Sequence, residues 1–307
     1  IELNLILCFS SFILLSNYDD PAKFLDWSRI NSRENFANLG IQSPPMRGVG
    51  RKHDRIRVGY FSVDFRNHPV AHLTAPLYGL HDRNKFEVWV YSYGPDDGHA
   101  VRKRIQDGAE HFVNLEGCSL QGMVDRIRGD EIDILVDLSG NTRGAKIQVL
   151  GHRPAPVQVH WLGFIGSMGS QYYDYTIVDG FVAPSGADQY YDEKLVRLPH
   201  TFQINDTARP LTYAPVTRAQ FGLPEKAFVF ADFNQSFKIQ PEIFAAWVRI
   251  IKAVPNSVLW LASGHAIYLK NIRAEWVKAG LDSERLIIAP RVSVEQYLAQ
   301  YQLVDLF

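Results

Sequence analysis

From Arg55 onward, short apolar runs alternate with longer stretches of helical period, and this order limits the chain more than any single motif. Strands are expected at Ile56 to Ser62, Phe86 to Ser92, His111 to Leu115, Ile132 to Leu138, Val157 to Trp161, Tyr175 to Val178 and Lys194 to Leu198. Helices are expected between several of them, at Val70 to Leu80, Val101 to Ala109 and Leu120 to Arg128. Strands separated by helices of this size pair in parallel and need cover on both faces, so the pattern predicts an α/β fold. Polar residues from Asn205 to Pro215 break it. It restarts with strand Ala227 to Phe233, helix Ile243 to Val254, strand Ser257 to Ala262, helix Ile267 to Ala279, strand Arg285 to Ala289 and helix Val294 to Gln300. A boundary is therefore expected there, with one lobe over 55–210 and a second, incomplete one over 211–307. Gln302 to Phe307 reads as a further strand-like run.

At 307 residues, 46% of them apolar, the chain can bury more than one core. A formal net charge of −1 creates no field that would gather nucleic acid or an anionic membrane, so neither is expected as a partner. Cys8 and Cys118 stand in no metal-ligand spacing, which fits a reducing, cytoplasmic setting. The apolar stretch Leu3 to Leu15 is interrupted by Asn4, Ser10 and Ser11 and is shorter than the ~20 residues a bilayer requires. It reads as a helix, and the polar segment after it, with Pro44-Pro45, reads as a connector to the first lobe.

In a parallel sheet, ligands collect where strand carboxyl ends meet helix N-termini, because the helix ends offer unpaired N–H groups. One such junction runs from Asp64 through Asn67, His68 and Pro69 to His72. Pro69 suits the first helical position, with Asn67 or His68 at the cap. A histidine there is biased to its neutral form and can hydrogen-bond a sugar or hydroxyl, although the same residues can simply tie the loop together. His68 and His72 have the spacing of a two-histidine metal site, but Pro69 occupies the place where the zinc-protease pattern has glutamate, so no metal is expected. A second junction runs from Asp232 to Pro241 and carries Gln235 and Lys238. A lysine between a strand end and a helix start is placed to neutralise charge on a phosphate, the alternative being an ordinary solvated lysine. A third, Asp137 to Ala145, holds Gly140 and Gly144, which let backbone approach a ligand, and Arg143, which can meet an anion; the plainer reading is a tight turn. The chain contains no G-x-G-x-x-G, no Walker lysine, no G-x-S-x-G and no Asp-x-Asp.

Six motifs in order carry a resemblance. They are Asp64-Phe65-x-x-His68-Pro69, Tyr93-Gly94-Pro95-Asp96-Asp97, Leu135-Val136-Asp137-Leu138-Ser139-Gly140-x-Thr142-x-Gly144, Arg153-Pro154-Ala155-Pro156-x-Gln158, Trp161-Leu162-Gly163 with Asp174-Tyr175, and Phe233-Asn234-Gln235-x-x-Lys238-Ile239. Together they resemble the catalytic region of the O-linked N-acetylglucosamine transferase and SPINDLY family. The resemblance implies a GT-B architecture of two Rossmann-like lobes. It also implies metal-independent, inverting transfer of a sugar, UDP-N-acetylglucosamine being the default donor, to serine or threonine of a protein. No cofactor beyond the nucleotide-sugar substrate is implied. Lys238 and Gln235 would hold the donor diphosphate; His68, Pro69, Leu162 and Gly163 would contact the donor; Asp64 would help relay the acceptor proton. Arg143 stands where the family can carry a lysine. Residues 1–54 would then be the tail of a tetratricopeptide region plus connector, and such repeats would allow a homo-oligomer. The family's second lobe continues into an Asn-Gly-x-Thr-Thr segment and an Asp that grip the donor, so these residues alone are expected to be weakly active or inactive. Two other readings remain at this stage: a non-catalytic protein-binding fragment, and a nucleotide-sugar epimerase.

Overall fold

A computed structural model of the chain describes residues 20–37, 53–209 and 215–307. The helix expected at Ile1 to Leu15 and the Pro44-Pro45 pair lie outside the described residues. The chain divides into two compact units, Ile1–Ala208 and Arg209–Phe307.

The first unit is built on seven parallel strands, β1 (Ile56–Ser62), β2 (Phe86–Ser92), β3 (His111–Asn114), β4 (Ile134–Asp137), β5 (Val157–His160), β6 (Tyr175–Asp179) and β7 (Lys194–Leu198), in the spatial order β3-β2-β1-β4-β5-β6-β7. Both faces of its central strands are buried: Val58 and Tyr60 of β1 enter one apolar cluster with Val88, Val90 and Val136, while Phe61 enters another with Tyr91, Ile127 and Leu135. This is the period-two alternation of a strand covered on both sides, which is why the runs read as almost continuously apolar. A side chain as fully buried as Phe61 contributes about 1.5–3 kcal/mol.

Helix α1 (Pro21–Ala37) occupies the segment expected to be a connector. Its buried residues are Leu25, Trp27, Ser28, Ser32 and Phe36. Two serines on the inward face hide the apolar stripe that would have marked a helix. Trp27 and Phe36 join the cluster that contains Phe164 and Tyr172, and the Phe36 and Tyr172 rings lie 4.6 Å apart. After β1, the single helix expected over Val70 to Leu80 is two, α2 (Pro69–Thr74) and α3 (Leu77–Leu80). Pro76, which has no N–H to donate and whose ring crowds the preceding turn, separates them. Helices α4 (Ala100–Gly108) and α5 (Leu120–Gly129) and the single turn α6 (Gln148–Gly151) complete the unit.

In the second unit, β8 (Phe228–Asp232), β9 (Ser257–Ala262) and β10 (Leu286–Ala289) form a parallel sheet in the order β10-β9-β8, with helices α7 (Pro241–Ala253), α8 (Ala266–Lys278) and α9 (Val294–Gln300). Trp260, fully buried on β9, packs against Phe221 and Phe233. The strand-like run at Gln302 to Phe307 is not a full strand: a 3-10 turn at Tyr301–Leu303 precedes one parallel bridge between Leu306 and Phe230. Among the described residues no helix is long and apolar enough to cross a membrane.

Candidate active site

In the first sheet β1 and β4 are neighbours although β2 and β3 lie between them in sequence. The connections leaving β1 and β4 therefore diverge, and a crevice opens at their carboxyl ends. The expected residues Asp64, His68 and Pro69 occupy the loop leaving β1. His68 is the N-cap of α2, with Pro69 at the first helical position. The His68 Nδ1 accepts from the Val70 N–H at 3.3 Å. An accepting Nδ1 bears no proton, so the imidazole is neutral and presents an Nε2–H donor. Burial lowers the proton affinity of His68 and Arg66 lowers it further, with Asp64 opposing. His99 and His265 cap α4 and α8 through Nδ1 in the same way.

Asp64 is 5% exposed, and its Oδ1 lies 3.6 Å from His68 Nδ1 and 3.6 Å from Arg66 Nη2. Burial raises its pKa above the usual carboxylate range, against the pull of His68 and Arg66. Burial thus favours the uncharged form of both partners, raising the carboxyl and lowering the imidazole. His72 turns aside to pair with Asn67 Oδ1 at 2.9 Å. Among the described residues no group of three His, Cys, Asp or Glu side chains is arranged to hold a metal ion.

Below this loop lies a polar network that sequence reasoning missed. Asp137, at the end of β4, is 1% exposed; it accepts from the N–H groups of Ser139 at 2.9 Å and Gly140 at 3.1 Å and from the Tyr173 hydroxyl at 2.7 Å. Ser139 Oγ meets Ser62 Oγ at 3.2 Å and accepts from the Tyr93 hydroxyl at 3.2 Å, tying the β1 and β4 loops together. On β2's side, buried Arg102 donates to the Phe65 carbonyl at 2.9 Å and to Ser92 Oγ at 2.7 Å. The signal for these groups was in the sequence. Apolar strands end on a polar residue at the carboxyl side, Ser62, Ser92, Asp137, His160, Asp179 and Asp232, and such an ending is costly unless the group is hydrogen-bonded. Gly140, expected to face a ligand, is buried instead: a Cβ there would sit 2.5 Å from His160 Cε1. No helix follows it directly. Arg143 is exposed.

Leu162 and Gly163 follow β5. Leu162 has φ of 74°, a left-handed conformation that a branched side chain adopts only when its surroundings hold it there. Gly163 is required because a Cβ would lie 2.1 Å from the Leu138 carbonyl oxygen, so the β4 and β5 loops touch backbone to backbone. Gly163→Ala is expected to cost about 2 kcal/mol of stability, measured by urea unfolding, because neither partner is a side chain that can swing away. Through Leu138 and Ser139, this turn is linked to the Asp64 loop.

Gln235 and Lys238 belong to the second unit, where β8 stands between β9 and Leu306, the equivalent switch in strand order. The expected loop contains a 3-10 turn at Ser236–Lys238, with Gln235 as its N-cap. Both side chains are exposed, and Lys238 Nζ donates to Asn234 Oδ1 at 3.4 Å. Pro241 opens α7, whose N-cap Gln240 makes no side-chain capping bond. The turn thus presents a cation beside a helix N-terminus, a suitable setting for an anion.

Comparison with known proteins agrees with this fold. The profile of glycosyl transferase family 41 matches residues 45–214 and 209–307. The chain is 37% identical, over 82% of its length, to a probable UDP-N-acetylglucosamine–peptide N-acetylglucosaminyltransferase SEC of Arabidopsis thaliana, of which it covers 26%. It is 32% identical over 82% of its length to the probable transferase SPINDLY of the same plant, covering 28% of it. The chain thus spans about a quarter of these relatives. The solved structure of a point mutant of the Thermobaculum terrenum O-GlcNAc transferase superposes with a TM-score of 0.78 at 26% identity, over 99% of this chain and 56% of that one. With two parallel α/β units of the GT-B type, the chain belongs to glycosyl transferase family 41, the family of the O-GlcNAc transferases and SPINDLY.

Proposed function

We propose that the protein containing this chain moves N-acetylglucosamine from UDP-N-acetylglucosamine to serine or threonine hydroxyls of proteins, with inversion and without a metal ion. The observation that carries the reading is the buried Asp64 carboxyl beside the partly exposed His68 imidazole at the switch point, in a chain whose family match spans both units. A single displacement needs an oriented acceptor hydroxyl, a place for its proton, and compensation of the charge that develops on the leaving diphosphate. His68 Nε2–H orients donor or acceptor oxygen, and the Asp64–His68 pair receives the proton. Pro69, Leu162 and Gly163 shape the donor subsite, while Gln235 and Lys238 hold the diphosphate.

The test is to incubate the natural full-length protein with a serine- and threonine-containing peptide and, separately, UDP-N-acetylglucosamine, GDP-fucose and UDP-glucose, with EDTA present. Mass spectrometry is expected to show N-acetylhexosamine on the peptide, and NMR a β linkage. Donor turnover that needs no peptide and modifies none would assign an epimerase-like or hydrolytic activity instead. Within this reading, Asp64→Asn is expected to lower kcat about a hundredfold, the modest end for general acid–base groups because His68 remains as a proton holder. It is also expected to displace the acidic limb of the rate–pH profile, since the limb reports the pair. An unmoved limb would remove Asp64 from the relay.

A further inference from the structure

Helix α1 packs against the loop that runs from the Leu162–Gly163 turn to Ser170, and the contacts go beyond burial of apolar surface. A Cβ on Gly169 would lie 2.4 Å from the Arg29 backbone nitrogen and 2.5 Å from the Ser28 carbonyl carbon, so loop and helix meet at their backbones. Phe24 stacks on Phe164 with centroids 5.9 Å apart. Arg29 grips Asp192 with a fork, Nε to Oδ2 at 2.9 Å and Nη2 to Oδ1 at 2.7 Å. Asp192 in turn donates its N–H to Ser167 Oγ at 3.2 Å, and the adjacent, buried Glu193 accepts from the Ser167 hydroxyl at 2.9 Å and the Met168 N–H at 2.8 Å. Two residues on, Asn31 Nδ2 donates to Asn141 Oδ1 at 2.9 Å, reaching the loop after β4. The same helix therefore holds both loops whose backbones meet at Gly163.

We propose that Arg29 is a positioning residue for the donor subsite: by anchoring the Asp192–Glu193 step, it fixes the Ser167–Met168 segment and so holds Leu162 in its left-handed conformation. The strained turn has a reason to need this anchor. A left-handed branched residue relaxes to extended backbone when the restraint around it loosens, and the restraint here is the loop that α1 clamps. A bidentate arginine–carboxylate fork sets direction as well as distance, which a lysine does not reproduce. The role in donor binding rests on the transferase reading above; the bracing of the loop does not.

The experiment is a charge swap in the natural full-length protein, Arg29→Asp, Asp192→Arg and the two together, with Arg29→Lys as a milder variant should either reversal fail to fold. Two quantities are read: amide hydrogen exchange over residues 162–170 without ligand, and KM and kcat for UDP-N-acetylglucosamine. Each single reversal is expected to speed loop exchange about tenfold and raise donor KM about fivefold, with kcat within about twofold. The double swap is expected to restore both, and Arg29→Lys to fall between. Loop exchange unchanged in the single variants overturns the brace, as does a double swap that fails to restore it. Faster exchange with an unmoved donor KM overturns the positioning role and leaves a purely structural one. A wild-type protein that turns over no nucleotide sugar defeats the transferase reading, whereas the exchange data still decide the brace.

Discussion

Replacing Lys238 by alanine is expected to cut kcat/KM for the nucleotide sugar by a factor of about 10²–10³, corresponding to about 3–4 kcal/mol of lost transition-state stabilisation. The argument begins with what the residue does not do. Lys238 is exposed, and its ammonium makes one long hydrogen bond, to Asn234 Oδ1 at 3.4 Å. Exposed groups of this kind add little to stability, so Lys238→Ala should unfold within about 0.5 kcal/mol of wild type. A charge held at a strand end beside the start of α7, with little structural reason to be there, is available to the developing charge on a departing diphosphate. Lys238→Arg is expected to recover part of the loss, since it keeps the charge and changes the geometry. A loss smaller than about threefold in Lys238→Ala, with the protein folded, would remove this residue from catalysis.

The second large effect is on stability. Glu193 sits 5% exposed under the loop that α1 covers, and burial pushes its carboxyl up to about 7, reinforced by Asp192 and opposed by the Ser167 and Met168 donors. A carboxyl whose folded proton affinity exceeds its unfolded one contributes its full stability at low pH. That stability is lost as pH rises from the ordinary glutamate value, 4.5, through about 7, because the unfolded chain ionises first. At ~1.4 kcal/mol for each tenfold difference in affinity, the loss amounts to about 3 kcal/mol. Glu193→Gln removes this dependence while its amide oxygen can still accept from Met168. Wild type and variant are therefore expected to unfold alike in urea at pH 4.5, with the variant about 3 kcal/mol more stable at pH 8. Equal stability at pH 8 would show the carboxyl to be ionised at no cost.

Much of the site was legible in the chain because local rules governed it. Pro69 and His68 stand at the start of α2 since a proline tolerates the first helical position and an imidazole Nδ1 can satisfy an orphan N–H. Lys238 was visible as a lone cation between a strand and a helix start. Asp137, Tyr93 and Ser139 stood in the motifs without a role, and Tyr173 was not singled out, because their meaning lies in their partners: Tyr173 reaches Asp137 across 36 residues of sequence, and Tyr93 reaches Ser139 across 46. Helix α1 escaped for a different reason. Its inward face carries Ser28 and Ser32, so period alone does not distinguish it from a polar connector.

By itself, then, the sequence determined the alternation of strands and helices, the break near Asn205 to Pro215, the capping chemistry and the motif order that marks the family. All of these depend on residues a few positions apart, where backbone geometry and apolar period act directly. Only the tertiary structure decided the order β3-β2-β1-β4, which brings the Asp64 loop beside the Asp137 loop, the burial that raises the proton affinity of Asp64 and lowers that of His68, and the clamp of α1 on the Leu162–Ser170 loop. The physical reason is that desolvation and backbone contact are properties of a place in three dimensions. A residue acquires them from neighbours that the chain supplies from far along its length.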